Sequence, residues 1–127
     1  MPLIKINIEK GNSKEFLISL IDVVMDCVQQ SLKLLPDDKN IRLMEFEKGL
    51  FKMKQPYRMI IEISMFAGRS LETKKKMYQL IVSTLSEKLE IKKEEVFILV
   101  NEQPKENWGI RGGMPASEID LGFKVEI

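Results

Sequence analysis

Pro2 stands at the head of a strand-like run, Leu3-Ile4-Lys5-Ile6-Asn7-Ile8. Initiator methionine is generally removed before a small residue, and proline counts as small. The expectation is therefore a mature chain that begins with a secondary amine fixed at the mouth of a strand. An α-amino group titrates at ~7.7–8.0 in free peptides, and burial beside cations lowers that value. Such an amine is a candidate base or nucleophile near neutral pH. The chain contains no histidine, so the usual neutral-pH base is missing and Ser-His-Asp or Cys-His acyl transfer is excluded. The single cysteine, Cys27, excludes an internal disulfide, and metal sites built on His or several Cys are excluded with it. Cys27 falls on the apolar stripe of the first helical pattern and reads as buried and inert.

Four further residues carry candidate chemistry. Arg69 opens a helical pattern, a slightly unfavourable place for a cation, which favours a ligand-binding reading over a solvated surface one. Trp108 either packs or lines a pocket. Asp38 follows Pro36-Asp37 as turn residues do, and Arg111 stands among glycines on the surface or in a site.

The elements that must position these residues alternate. Residues 3–8 put Ile4, Ile6 and Ile8 on one face. Gly11-Asn12-Ser13 forms a turn in which Ser13 can cap a helix, whose Phe16, Leu20, Val24 and Cys27 recur at helical spacing. A second strand covers 41–46, and 48–56 is a hairpin or loop. The pattern then restarts with a strand over 58–65, a turn at 67–69, a helix from 70 to about 89 and a strand over 95–100. Adding 57 to each number of the first half maps Ile4, Ile6 and Ile8 onto Ile61, Ile63 and Met65, Gly11 onto Gly68, and Ser13 onto Ser70. Inward parity and turn chemistry both survive the shift, which marks a duplication. Two right-handed β-α-β units in one sheet predict an α+β fold with both helices on one face. The chain reads as one domain, 1–127, with halves at about 2–56 and 58–113 and a C-terminal hairpin or tail at 114–127. The other sheet face carries Lys5, Asn7, Ile60, Glu62 and Ser64, a mixture that self-association would cover.

Lys and Arg total 20 against 19 Asp and Glu, which argues against nucleic-acid or membrane-surface binding. No apolar run approaches the ~20 residues that span a bilayer, and no signal peptide is recognisable. The expectation is a soluble cytoplasmic protein.

Pro2 at a strand start, Gly68-Arg69-Ser70-Leu71-Glu72-Thr73-Lys74 at a helix start, and Trp108-Gly109-Ile110-Arg111-Gly112-Gly113-Met114-Pro115 together resemble the tautomerase superfamily. The likeness is to the fused, double-length form of its oxalocrotonate tautomerase branch, which includes malonate semialdehyde decarboxylase. That resemblance implies a homotrimer, no cofactor, and catalysis by Pro2. It implies that Arg69 holds a substrate carboxylate and that Trp108 lines and dries the pocket. It also sets Asp38 near a functional aspartate of the decarboxylases. Two departures stand out. The decarboxylase pattern of two arginines separated by proline is here Ala67-Gly68-Arg69. The second-strand arginine of the tautomerase branch is matched by Asn40 and Phe97, with Arg42 or Arg111 as possible replacements. The function implied is proline-dependent keto-enol tautomerisation of a small 2-oxo or enol carboxylic acid. The alternatives are decarboxylation or hydration of a small 3-oxo acid, or a non-catalytic trimeric binding role.

Overall fold

The computed structural model describes residues 2–127; Met1, and with it the expected removal of that residue, lies outside them. The elements run β1 (Leu3–Glu9), α1 (Lys14–Leu32), β2 (Ile41–Phe46), β3 (Met59–Phe66), α2 (Leu71–Leu89), β4 (Val96–Gln103), β5 (Gly109–Ile110) and β6 (Met114–Pro115). The main sheet has the order β2-β1-β3-β4. Its outer pairs are parallel and its central pair β1–β3 is antiparallel, as two β-α-β units joined side by side require.

One face of the sheet is buried. Ile4, Ile6, Ile8, Ile61, Ile63 and Met65 are at most 1% exposed and meet Leu20, Val24 and Val28 of α1 and Met77, Ile81 and Leu85 of α2. Each fully buried Ile or Leu contributes about 1.5–3 kcal/mol, so this period-2 stripe against two period-3.6 stripes sets which way each strand faces.

The duplication holds at atomic detail. The helices are offset by 57 residues at both ends. Gly11 and Gly68 turn at φ 131° and 132°, conformations that favour a residue without Cβ. Ser13 Oγ accepts from the Phe16 N–H at 3.1 Å and Ser70 Oγ from the Thr73 N–H at 3.2 Å. Lys33 and Glu90 end their helices in the left-handed region. Lys10 N–H donates to Phe46 O at 2.8 Å, and Ala67 N–H to Gln103 O at 2.9 Å.

Three boundaries depart from the sequence pattern. β3 starts at Met59, β4 runs on to Gln103, and the hairpin lies earlier than 114, its strands Gly109–Ile110 and Met114–Pro115 being paired. β4 is longer because it keeps pairing with β3, Met65 opposite Glu102 and Phe66 opposite Gln103. Beyond the hairpin the tail folds back on its own chain. Phe66, Ala116, Leu121 and Val125 form a second small core with Trp108, Ile110 and Phe123 packed around it.

The open face holds Lys5 opposite Glu62 and Asn7 opposite Ile60. Asn7 Nδ2 donates to Glu62 Oε2 at 2.9 Å, which satisfies a side chain that is otherwise 8% exposed. Met44, Phe97 and Leu99 stay exposed. Among the described residues no helix is long and apolar enough to cross a membrane.

Candidate active site

Pro2 is buried immediately before β1. The β1–β3 register sets Leu3 opposite Ser64, which brings Pro2 beside the last residues of β3. On its other side, Ile4 N–H donates to Asn40 O at 2.9 Å, so the turn before β2 lies against the start of β1. Asn40 Nδ2 donates to Asp38 Oδ1 at 3.2 Å. Asp38 and Asn40 form one wall of a cavity of about 270 Å³. Ile110 and Arg111 of the hairpin and Leu121 and Phe123 of the tail also line it.

Arg69 lies on the turn that leaves β3 and is 5% exposed. Its Nη1 donates to Phe66 O at 3.5 Å, while Nε and Nη2 have no hydrogen-bond partner among the described residues. Burial pulls the guanidinium below its usual value, opposed first by Asp38 and then by Glu126 and Glu102. A buried unsatisfied donor costs about 1–3 kcal/mol, more when charged. A cation kept in that state, with a carboxylate-bearing cavity wall as its strongest charged neighbour, is suited to receive an anionic group.

The tail closes over the residues on either side of Arg69. Val125 is 1% exposed, and a Cβ placed on Gly68 would come within 3.1 Å of its Cγ1. Ile127 O accepts from the Ser70 N–H at 3.2 Å, from Ser70 Oγ at 2.7 Å and from Thr73 Oγ1 at 2.5 Å. Trp108 packs edge-on against Phe66, with ring centroids 5.0 Å apart, and its buried Nε1 also lacks a partner among the described residues.

Of the residues singled out from sequence, Asp38, Asn40 and Arg111 meet in one cavity. Arg69 and Trp108 are joined to one another through Phe66. Arg111 is exposed, takes φ 49°, and donates from Nη1 to the tail carbonyl of Asp120 at 3.1 Å. Arg42 is exposed beside Lys5, on the face opposite to Ile41 and Leu43, which pack on the main core. Of the two candidate replacements this leaves Arg111, which lines the cavity; Pro2, Arg69 and Trp108 are not in that lining. Sequence reading missed Phe66 and the strap formed by Leu121, Phe123 and Val125. The signal was present: Phe66 breaks the alternation of β3, and the three strap residues repeat at spacing two.

Comparisons with known proteins bear on this geometry. A family described as tautomerase enzyme matches residues 46–111. The probable tautomerase YusQ of Bacillus subtilis (strain 168) is 25% identical over 121 residues, spanning 89% of this chain and 95% of its own. Among solved structures, FG41 malonate semialdehyde decarboxylase inhibited by 3-bromopropiolate superposes with a TM-score of 0.80 at 22% identity, over 89% of this chain and 92% of that one. A fused 4-OT wild-type symmetric trimer superposes with a TM-score of 0.80 at 19% identity, over 91% and 96%. At those identities the two structures speak to fold alone.

Proposed function

The chain belongs to the tautomerase enzyme family, and from that premise we propose that it is a cofactor-independent keto-enol tautomerase of a small 2-oxo or enol carboxylic acid, with Pro2 as its working group. The observation that carries the reading is Arg69: a residue only 5% exposed whose Nε and Nη2 are unpartnered among the described residues.

In the proposed reaction Met1 is removed and the Pro2 nitrogen is a free amine, neutral for a useful fraction of the time at pH 7. It takes the enol proton. As the O–H electrons form the carbonyl, the C=C pair takes the proton back from the prolinium at carbon, and the amine is regenerated. Arg69 holds the carboxylate through paired N–H groups, which fixes the reacting carbon against the proline. Arg111 and the Asn40 amide stabilise charge on the enolate oxygen. Trp108 with Phe66 keeps water away and the amine's proton affinity low. The protein works as a cytosolic homotrimer, with Met44, Phe97 and Leu99 among the residues available to be covered. The solved fused 4-OT relative is itself a trimer.

A second reading rests on Asp38. Its position in the cavity wall suits a carboxylate that activates water or assists carboxylate loss from a 3-oxo acid.

The test is ketonisation of phenylenolpyruvate by protein whose mass verifies Pro2 as the first residue, beside Pro2→Ala. Loss of about 10²–10⁴ in kcat/KM on substitution, the usual contribution of a positioned acid-base group, supports the reading. Equal rates in both overturn it. Carbon dioxide release from a 3-oxo acid without ketonisation supports the Asp38 reading instead.

A further inference from the structure

The first repeat carries a counterpart of the Arg69 turn at the opposite end of the sheet, and its chemistry has been rebuilt. Asn12 stands 57 residues before Arg69 and keeps the same local bond, Nδ2 donating to Glu9 O at 3.4 Å where Arg69 Nη1 donates to Phe66 O. The cation lost at this position is supplied from elsewhere in the chain. Arg58, just before β3, donates from Nη2 to Asn12 Oδ1 at 2.6 Å, and its guanidinium carbon lies 5.1 Å over the Phe16 ring. Its backbone N–H is anchored on Glu95 O at 2.7 Å.

The two glycine turns share one shape but have different covers. Gly68 is roofed by Val125 of the tail, whereas the nearest atom to a Cβ on Gly11 would be Lys48 Cε at 3.9 Å. The place filled by an apolar strap in the second repeat is therefore open and cationic in the first. Lys10, Lys48 and Arg58 border a cavity of about 260 Å³ over Gly11 and Asn12, with Glu9 the one acid in its lining. Lys10 is paired with Glu47 at 2.5 Å. Neither Lys48 nor Arg58 has an ion pair among the described residues. An anion seated between two cations that border one cavity is attracted by both.

We propose that this cavity is a second, non-catalytic site for a small carboxylate, held by Arg58 and Lys48 over the Gly11-Asn12 turn. It cannot repeat the proline chemistry, because Met59 occupies the position equivalent to Pro2 and its nitrogen is an internal amide. Glu9 in the lining favours a singly charged carboxylate group over a dianionic phosphate. In its choice of ligand class the proposal rests on the carboxylate reading of Arg69; in its location it does not.

The test is a titration of the full-length, isotope-labelled protein with acetate, a singly charged carboxylate, at constant ionic strength, following backbone amides. Saturable shifts at Gly11, Asn12 and Ser13 are expected in the wild type and, unchanged, in Arg69→Gln, which separates this site from the first. Arg58→Gln should weaken them about tenfold or more, the loss of one charge-assisted contact. Lys48→Gln, at an exposed position, should weaken them less and carries the test if Arg58→Gln does not fold. Absence of saturable shifts, shifts undiminished in the folded Arg58→Gln or Lys48→Gln protein, or equal saturation by inorganic phosphate would overturn the proposal.

Discussion

Replacing Arg69 with methionine should make the protein more stable and nearly inactive. The side chain is 5% exposed with Nε and Nη2 unpartnered among the described residues, and each unsatisfied buried donor costs about 1–3 kcal/mol. Methionine fills a similar volume with no donor to satisfy, and replacing buried charge by apolar atoms has stabilised other proteins by about 1–4 kcal/mol. Against that gain stands the attraction of Asp38, Glu126 and Glu102, which the substitution forfeits. The net expectation is the lower part of the range, about 1–2 kcal/mol, or about 3–10 °C in Tm for a domain of this size. The same change removes the proposed paired, charge-assisted contact of about 3–4 kcal/mol with the substrate carboxylate, which lowers kcat/KM about 10²–10³-fold. Urea and thermal unfolding at one fixed protein concentration, so that assembly is held constant, give the first quantity. Phenylenolpyruvate ketonisation gives the second. An Arg69→Met protein that melts lower and keeps its kcat/KM would show that the arginine is a structural tie, and the argument from its orphaned donors would fail.

The two glycine turns form a matched pair. Alanine at Gly11 or Gly68 meets the same positive φ and the same backbone strain of about 1–3 kcal/mol. Only Gly68→Ala also drives a methyl to 3.1 Å from Val125, so it should cost about 1 kcal/mol more in urea unfolding; equal costs would mean that the strap is not held there. Cys27 is 2% exposed, and burial pushes its thiol up. It should resist iodoacetamide in the native protein and react once urea unfolds it. Because its folded pKa lies above the unfolded one, its contribution to stability is complete below about 8.5 and is lost as pH rises through the folded value. The urea midpoint should therefore fall on the alkaline side by an increment that Cys27→Ala abolishes.

The alternation of Ile4, Ile6 and Ile8, its copy at Ile61, Ile63 and Met65, and the Ser caps at 13 and 70 were enough to read the order of elements and the shared helix face. Those features are local: a strand's period, a cap and a glycine turn each act within a few residues. The chemical types at the candidate site were legible for the same reason, since a proline before a strand and an arginine opening a helix are visible in one dimension.

What only the tertiary structure decided is how far water is removed from those groups. Arg69 is buried where residues 121–127 return across the chain and lay Val125 on Gly68 and Ile127 O on Ser70 and Thr73. Asp38 and Arg111 share a cavity because a turn before β2 and a hairpin after β4 meet there. The two glycine turns, alike in sequence and in φ, differ in what covers them, a strap at one end and Arg58 with Lys48 at the other. Desolvation and charge proximity depend on contacts between residues distant in the chain, and periodicity does not encode those contacts.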